Sequence, residues 1–303
     1  MLDVFYNVLS FILIIALGIF VRHKKILAEG AIDTLSFVVV NITLPALILG
    51  NANAITLDIN AVYLILIGVC ANLFMLTLGY IRSRKREKMM VSTYMMSFAS
   101  YNIGNFITPL VTMLFPPIGL VFISLFDIGS SVMTMGFNYV ITQTVIHRDE
   151  GVSIRSIGNT LAKSINLMVY AIIFSCALFN ITIPYFIINT AQIIGQANIF
   201  LPLFLIGLMM NFDIPKEDYM DMVEIMGFRL VGNLFIIAIM FYFIPLPLMA
   251  KQIVMLALLA PMANASPIFV RMFGYKGSVS ANASSLGIFI SIISIIIISF
   301  FLG

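Results

Sequence analysis

Long apolar runs follow one another along almost the whole chain, and they constrain its fold more than any other feature. Hydrophobic residues make up 61% of the 303 residues and charged residues only 10%, whereas an ordinary soluble domain carries about 25% charged residues. A helix that spans a membrane needs about 20 apolar residues. The sequence therefore predicts an all-α membrane protein with ten transmembrane helices and almost no length left for a soluble domain.

The ten predicted spans are separated by short connections that are mostly polar. The spans are residues 4–21, 31–50, 61–81, 89–114, 118–145, 157–179, 187–210, 222–243, 250–272 and 279–302. Asp3 precedes the first run and a basic cluster follows it. A secretory signal has its positive charge first, so we expect the first run to be a retained span.

Lysine and arginine predict the orientation of the chain. Every basic residue except Lys251 falls after an odd-numbered span. They are Arg22, Lys24, Lys25, Arg82, Arg84, Lys85, Arg86, Lys88, Arg148, Arg155, Lys163, Lys216, Arg229, Arg271 and Lys276. Cytoplasmic loops carry an excess of Lys and Arg. We therefore expect these loops in the cytoplasm and both termini outside, an arrangement that suits a prokaryotic cytoplasmic membrane.

A short motif occurs twice, at equivalent places in the two halves. Asn41-Ile-Thr-Leu-Pro45 recurs as Asn198-Ile-Phe-Leu-Pro202, and a glycine stands five residues beyond each proline, at Gly50 and Gly207. Transporters built from two repeats place irregular helices at the repeat interface near the bilayer midplane. Each half holds five spans, an odd number, so the second half enters the membrane from the opposite side. We therefore expect residues 1–150 to form one five-helix repeat and residues 151–303 to form a second, inverted one. Asn41, Pro45, Asn198 and Pro202 mark the expected helix breaks in spans 2 and 7.

Two further segments combine proline, asparagine and small residues at mid-membrane depth. They are residues 101–109 in span 4 and residues 261–267 in span 9. Proline removes a backbone donor, and unpaired backbone groups are tolerated in a membrane only where they line a cavity. We therefore expect spans 4 and 9 to be broken, the latter at Pro261, and to cross. The alternative is a pair of proline kinks whose asparagines bond across helices.

Broken helices expose half-helix N-termini, whose amides and positive dipole ends favour an anionic group. Asparagine side chains add neutral donors and acceptors there. The candidate substrate-binding residues are Asn102, Gly104, Asn105, Thr108, Pro109, Asn264, Ser266 and Pro267.

Asp127 is the carboxylate that lies deep inside a predicted span. An intramembrane acid is a functional hypothesis by default, because it is expensive to bury unless it is paired or neutralised. Asp127 is a candidate for coupling to H⁺ or Na⁺. The alternative is a packing role, in which the acid bonds to the neighbouring Ser130 and Ser131.

Several classes of function are excluded by what the sequence lacks. It has no zinc-protease, phosphate-loop or nucleophile-elbow motif, so we do not expect an enzyme. Cys70 and Cys176 have no partner at metal or redox spacing, and no cofactor or metal is expected. The basic loop at residues 82–86 is too short to indicate nucleic-acid binding and indicates topology and contact with anionic lipid.

The chain resembles the auxin efflux carrier family, which includes bacterial members described as malate or malonate permeases. The resemblance covers the full length and rests on Leu44-Pro45, on Asn102-x-Gly104-x₄-Pro109 and on the break around Pro261–Pro267. It implies crossing helices 4 and 9, as in bile-acid sodium symporters and sodium–proton antiporters. It also implies a dimeric scaffold of helices 1, 2, 6 and 7, and an elevator-like transport domain of helices 3–5 and 8–10.

The chain departs from the family pattern at two places. Ile107 stands where a second glycine is common, and Asn105 stands where the family has an apolar or aromatic residue. Asn166-Leu167 replaces a frequent Asn-Pro in span 6. The expected function is secondary transport of a small organic anion such as a carboxylate. A membrane metabolite sensor and a channel that use the same pocket remain the alternatives.

Overall fold

The computed structural model describes residues 2–28, 30–54, 59–146, 165–179, 181–210, 216–275 and 277–302. These residues form helices and connecting segments, with no β-strand among them. Their α-helices are α1 (Leu2–His23), α2 (Ala31–Val38), α3 (Leu44–Gly50), α4 (Ile59–Ser83), α5 (Lys88–Phe98), α6 (Thr108–Leu114), α7 (Ile118–Val132), α8 (Asn138–Ile146), α9 (Ile165–Leu178), α10 (Tyr185–Gly195), α11 (Ala197–Met209), α12 (Tyr219–Phe243), α13 (Leu248–Leu258), α14 (Ala265–Met272) and α15 (Val279–Leu302). The basic residues Arg148, Arg155, Lys163 and Lys276 and the first part of predicted span 6 lie outside the described residues.

Within the described ranges, five helical segments are long and apolar enough to cross a membrane. They are Ala31–Gly50, Ile59–Ser83, Ile118–Ile146, Tyr185–Met209 and Lys216–Phe243. These five coincide with predicted spans 2, 3, 5, 7 and 8. Helices α1 and α15 occupy predicted spans 1 and 10, and α9 occupies the described part of span 6.

Turns of π-helix interrupt several of the long helical segments. Val39–Thr43 joins α2 to α3, Ile103–Ile107 leads into α6, and Met133–Phe137 joins α7 to α8. Pro45 and Pro109 stand in the first turn of α3 and α6, directly after such a turn. Neither proline has a backbone N–H to donate to the preceding turn, and the wider π turn accommodates the chain there.

The structure corrects the expectation of helix breaks at Pro45 and Pro202. At Pro45 the chain stays helical and only changes its winding, from the π turn to α3. Pro202 lies inside α11, which continues through it. The irregularity in that segment is instead the single turn residue Gln196, between α10 and α11.

The helices form two packing groups, and the first contains α1–α3 and α9–α11. Helix α1 packs along α11, and α3 packs against α9 and α10. The glycines that follow the two Leu-Pro motifs lie at these contacts. A Cβ on Gly207 would lie 2.1 Å from the carbonyl oxygen of Ile15, and one on Gly50 would lie 2.9 Å from Cγ of Gln192. Small residues let helix backbones approach closely, so both glycines serve helix contact within this group.

The second packing group contains α4–α8 and α12–α15. Helix α4 packs against α5 and α7, α13 packs against α7, and α12 packs against α15. Helices α14 and α15 both contact α5. The two groups meet where α11 lies against α6 and the turn Ile103–Ile107, and where α9 lies against α7.

Ion pairs tie the start of α12 to the connection between α4 and α5. Arg86 donates hydrogen bonds to Asp221 and, at 2.9 Å, to Oε2 of Glu224, and Arg82 pairs with the same glutamate. Burial lowers the pKa of Arg86, but the hydrogen bond to Asp221 and the nearby carboxylates outweigh it and raise that pKa above its usual value. Two arginines of the predicted topology loop therefore also hold two helices together.

Candidate functional site

Predicted spans 4 and 9 are both interrupted in the structure. Helix α5 ends at Phe98 and the chain is non-helical until Ile103, while α13 ends at Leu258 and helix resumes only at Ala265. The two breaks lie against each other, because the backbone N–H of Asn102 donates to the carbonyl of Pro261 at 2.9 Å. A backbone donor freed by one break is thus satisfied by the other, as buried backbone groups require.

Side chains add further bonds between the two breaks. Asn102 donates from Nδ2 to Oδ1 of Asn264 at 3.2 Å. The hydroxyls of Ser100 and Ser266 are 2.7 Å apart, and Ser100 also accepts the backbone N–H of Ala263 at 3.2 Å. These bonds join residues that are more than half the chain apart, and they hold the two breaks in one fixed arrangement.

Arg229 is the residue that sequence reasoning placed wrongly. It was grouped with the basic residues of the cytoplasmic loops, but its side chain is buried in α12 with only 4% exposure. Its guanidinium donates to the carbonyls of Ser97, Phe98, Ser100 and Ala260 at 2.9, 2.5, 3.0 and 3.2 Å. These carbonyls belong to the C-terminal ends of α5 and α13 and to the residues just beyond them. A cation is favoured at that end of a helix dipole.

Arg229 also reaches a residue within the first break. Its guanidinium carbon lies 5.6 Å from the ring centroid of Tyr101, a cation–π arrangement. The Tyr101 hydroxyl donates to Oδ1 of Asn233, one turn further along α12, at 2.7 Å. The signal that could have identified Arg229 was its position several residues inside an apolar run, where a charge needs partners.

A cavity of about 590 Å³ lies beside the two breaks. Among the predicted substrate-binding residues, it is lined by Asn102, Gly104, Asn105, Asn264 and Pro267. The other three predicted residues do not line it. Thr108 donates to the carbonyl of Ile103 at 3.2 Å, Ser266 bonds to Ser100, and Pro109 is buried in α6.

Asp127 lines the same cavity, although it comes from a different helix. It is 7% exposed and accepts two hydrogen bonds, from Oγ of Ser131 at 3.0 Å and from the hydroxyl of Tyr170 at 3.1 Å. Ser131 is thus the partner that the packing alternative named, whereas Ser130 accepts a bond from Asn72 instead. The Tyr170 contact links α7 to α9, and so joins the two packing groups at the cavity.

The polar lining of the cavity is made of amides, hydroxyls and carboxylates. Its carboxylates are Asp33, which is exposed, and Asp127, which is buried. Among its described lining residues there is no lysine, arginine or histidine. Positive potential at the cavity can come instead from the two half-helices that begin there, at Ile103 and at Ala265, because a helix N-terminus carries a partial positive charge.

The first copy of the repeated motif also reaches the cavity. Leu44 lines the cavity wall and packs on the break, since a Cβ on Gly104 would lie 2.4 Å from Cδ2 of Leu44. The two asparagines of the motif are not equivalent. Asn198 is fully buried and accepts a bond from Thr43, whereas Asn41 donates to the Phe37 carbonyl of its own helical segment at 3.0 Å.

No group of three or more His, Cys, Asp or Glu side chains comes together in the part of the chain that the structure describes. Comparison of the sequence with models of known protein families and with curated proteins finds no match. The resemblance to auxin efflux carriers thus stays a prediction from the motifs.

Proposed function

We propose that the chain is a secondary carrier that moves a small organic anion, such as a carboxylate, across a membrane by elevator-type alternating access. The observation that carries the proposal is the cavity beside the paired breaks. Carriers with broken helices bind their substrates at such places, where half-helix ends and unpaired backbone groups can contact a ligand. In this proposal the substrate carboxylate lies against Asn105, Asn264 and the first turns of the two half-helices.

The packing of the helices supports a division of this carrier into a fixed scaffold and a moving transport domain. The first packing group, α1–α3 and α9–α11, would be the fixed scaffold, through which two copies form a homodimer. The second group, α4–α8 and α12–α15, would be the moving transport domain. Ten spans in two inverted repeats, as in the auxin efflux carrier family, complete the proposed architecture. Arg229 supports it, because it ties both breaks to a helix of the same proposed moving domain.

The cavity wall supports a proposal for the state of the carrier that the structure represents. The wall includes Ile32 and Asp33 in the first turn of α2 and Ala281 in the first turn of α15. Both helices start next to loops for which we propose a cytoplasmic position, with the termini outside. The state would then be inward-facing, in a prokaryotic cytoplasmic membrane, with the substrate site reached from the cytoplasm.

The two carboxylates of the cavity favour a second candidate, a carrier for an organic cation. Asp33 and Asp127 would attract a cation directly, whereas an anion needs a proton or a metal ion to offset the charge of Asp127. Asp127 is therefore the proposed site of H⁺ or Na⁺ coupling if the substrate is an anion. A flux measurement with substrates of both signs decides between the two candidates.

The test is counterflow in proteoliposomes that contain the purified full chain. Labelled malate, malonate, succinate, lactate and indole-acetate are tested, together with labelled choline as an organic cation. We expect saturable exchange of at least one acid, strongly reduced in Asn105→Ala and unchanged in Asn41→Ala, whose side chain bonds within its own helical segment. Exchange of choline alone would favour the cation candidate, and flux that does not saturate would favour a channel.

A further inference from the structure

Two amide oxygens at the cavity are buried and lack a hydrogen-bond partner. They are Oδ1 of Asn105 and Oδ1 of Asn166, neither of which has a donor within reach among the described residues. Both residues line the cavity, one from the turn after the first break and the other from α9. Buried polar atoms are almost always paired, so each exception needs an explanation such as a bound ion or water.

Asn166 and Asp127 stand on neighbouring helices, because α9 packs on α7. Tyr170 in α9 donates to Oδ2 of Asp127 at 3.1 Å. Asn166 stands one helical turn before Tyr170, on the same face of α9, because residues four apart are neighbours on a helix. Asn166 and Asp127 both line the cavity. Asn105 lines it from the second packing group, where its turn packs against α7.

Asp127, Asn105 and Asn166 bring to one cavity the kinds of oxygen that bind hard cations. Carboxylate and amide carbonyl oxygens are the ligands that such cations prefer. A single carboxylate balances one positive charge, whereas divalent sites commonly use several carboxylates. We propose that Asp127 and the amide oxygens of Asn105 and Asn166 bind a monovalent metal cation, for which Na⁺ is the probe.

This inference names the coupling ion of the proposed carrier. The role of that ion in transport rests on the proposed function. An ionised Asp127 repels a carboxylate that enters the same cavity, and the repulsion is strong where water is excluded. A cation on Asp127 removes that repulsion. The carrier would then bind its anion together with Na⁺, and the organic acid alone would bind weakly. Asn105 would contact both ligands, because it belongs to the half-helix that begins at the cavity.

The binding test uses the purified full chain in detergent and measures its thermal midpoint, Tm. A ligand that binds the folded state raises Tm with a saturable dependence on its concentration. NaCl is titrated against choline chloride at constant ionic strength, so that screening is the same in both series. We expect a saturable rise with NaCl alone, absent in Asp127→Asn. Asn166→Ala should need about tenfold more NaCl, because it removes one ligand oxygen.

The control is Glu87→Gln, which removes a carboxylate that does not line the cavity. Glu87 is exposed just before α5, and this variant should keep the wild-type NaCl midpoint. Asp127→Glu and Asn105→Ala serve if Asp127→Asn does not fold, and both should shift the NaCl midpoint. Equal effects of NaCl and choline chloride would overturn the cation site. A rise in Tm that persists in Asp127→Asn, or one that Glu87→Gln abolishes, would also overturn it.

Counterflow with and without Na⁺ separates failure of the cation site from failure of the carrier. Saturable acid exchange that is insensitive to Na⁺, in a protein whose Tm ignores NaCl, would overturn the cation site and leave the carrier standing. A rise in Tm that depends on Asp127, without exchange of any acid, would support the site and contradict the carrier. Exchange stimulated by Na⁺ in the wild type, and lost in Asn166→Ala, supports both.

Discussion

Thr43 donates a hydrogen bond from Oγ1 to Oδ1 of Asn198 across 3.0 Å, and both side chains are buried. The two residues belong to the two copies of the repeated motif, so the copies meet in space. The glycine that follows each copy also lies at a close helix contact in the same packing group. The repeat in the sequence thus corresponds to a contact between its two copies within the first packing group.

Replacement of Thr43 with Val should destabilise the protein by about 1–3 kcal/mol, because it leaves the buried amide of Asn198 without its partner. The double variant Thr43→Val/Asn198→Leu should recover much of the loss, since removing both polar groups removes the unpaired one. Thermal unfolding in detergent measures the effect. Thr34→Val is the control, because Thr34 is exposed and bonds only to the carbonyl of Gly30. Additive effects of the two substitutions would contradict the coupling.

Replacement of Arg229 with Met should destabilise the protein by about 3 kcal/mol, because carbonyls at both breaks lose a charged donor at once. Arg229→Lys should recover only part of this, since an ammonium group lacks the planar fork of donors. The measurement is Tm of the purified chain. Arg271→Met is the matched control, because Arg271 is exposed in the last turn of α14. A Tm for Arg229→Met equal to that of the control would show that the carbonyls find other partners.

Replacement of Gly104 with Ala should reduce transport more than stability. Its Cβ would lie 2.4 Å from Cδ2 of Leu44, and that contact joins the proposed moving domain to the proposed scaffold. Leu44 has a flexible side chain that can shift, so the fold should persist with a cavity of altered shape. The double variant Gly104→Ala/Leu44→Ala should recover exchange in the counterflow assay, because it removes the clashing methyl group. Lack of any recovery would show that Gly104→Ala acts at some place other than this contact.

Replacement of Arg86 with Gln should lower stability by about 1 kcal/mol at low salt, within the range of partly exposed ion pairs that form a network. Arg86 bonds to Asp221 and Glu224 and lies 4.8 Å from the ring centroid of Tyr94. The difference in Tm from wild type should shrink in 1 M NaCl, where the Debye length is about 3 Å. Arg84→Gln, in the same loop but exposed, should change little. A difference that is independent of salt would show that packing, and not charge, is lost.

The positions of the irregular segments could be predicted from the sequence, because their causes are local. A proline lacks a backbone donor wherever it stands, and runs of polar and small residues inside an apolar segment mark places where backbone groups must find partners. The interruptions at residues 99–102 and 259–264 overlap the predicted stretches 101–109 and 261–267 only in part, since Pro109 and Pro267 lie inside helices. The same reasoning was wrong for Pro45 and Pro202, because a π turn and an unbroken α-helix accommodate those prolines.

The cavity lining could be predicted only in part. Asn102, Asn105 and Asn264 follow from the breaks themselves, but Thr108 and Ser266 point to other partners in the structure. Those orientations depend on how the two breaks face each other, and spacing along the chain does not specify that relation. In the sequence, Asn166 stands out only as a departure from a family pattern. It lines the cavity because α9 packs on α7.

The sequence by itself determined the apolar helices, the sites of the two breaks and the burial of one acid, because hydrophobicity and backbone chemistry act within a few residues. Only the tertiary structure decided that Arg229 serves both breaks, that Thr43 meets Asn198, and that Asn166 lines the same cavity as Asp127. Each of these relations joins segments that are distant in the chain. Their partners are selected by helix packing, because a buried polar group takes whichever partner the packing brings within hydrogen-bond distance.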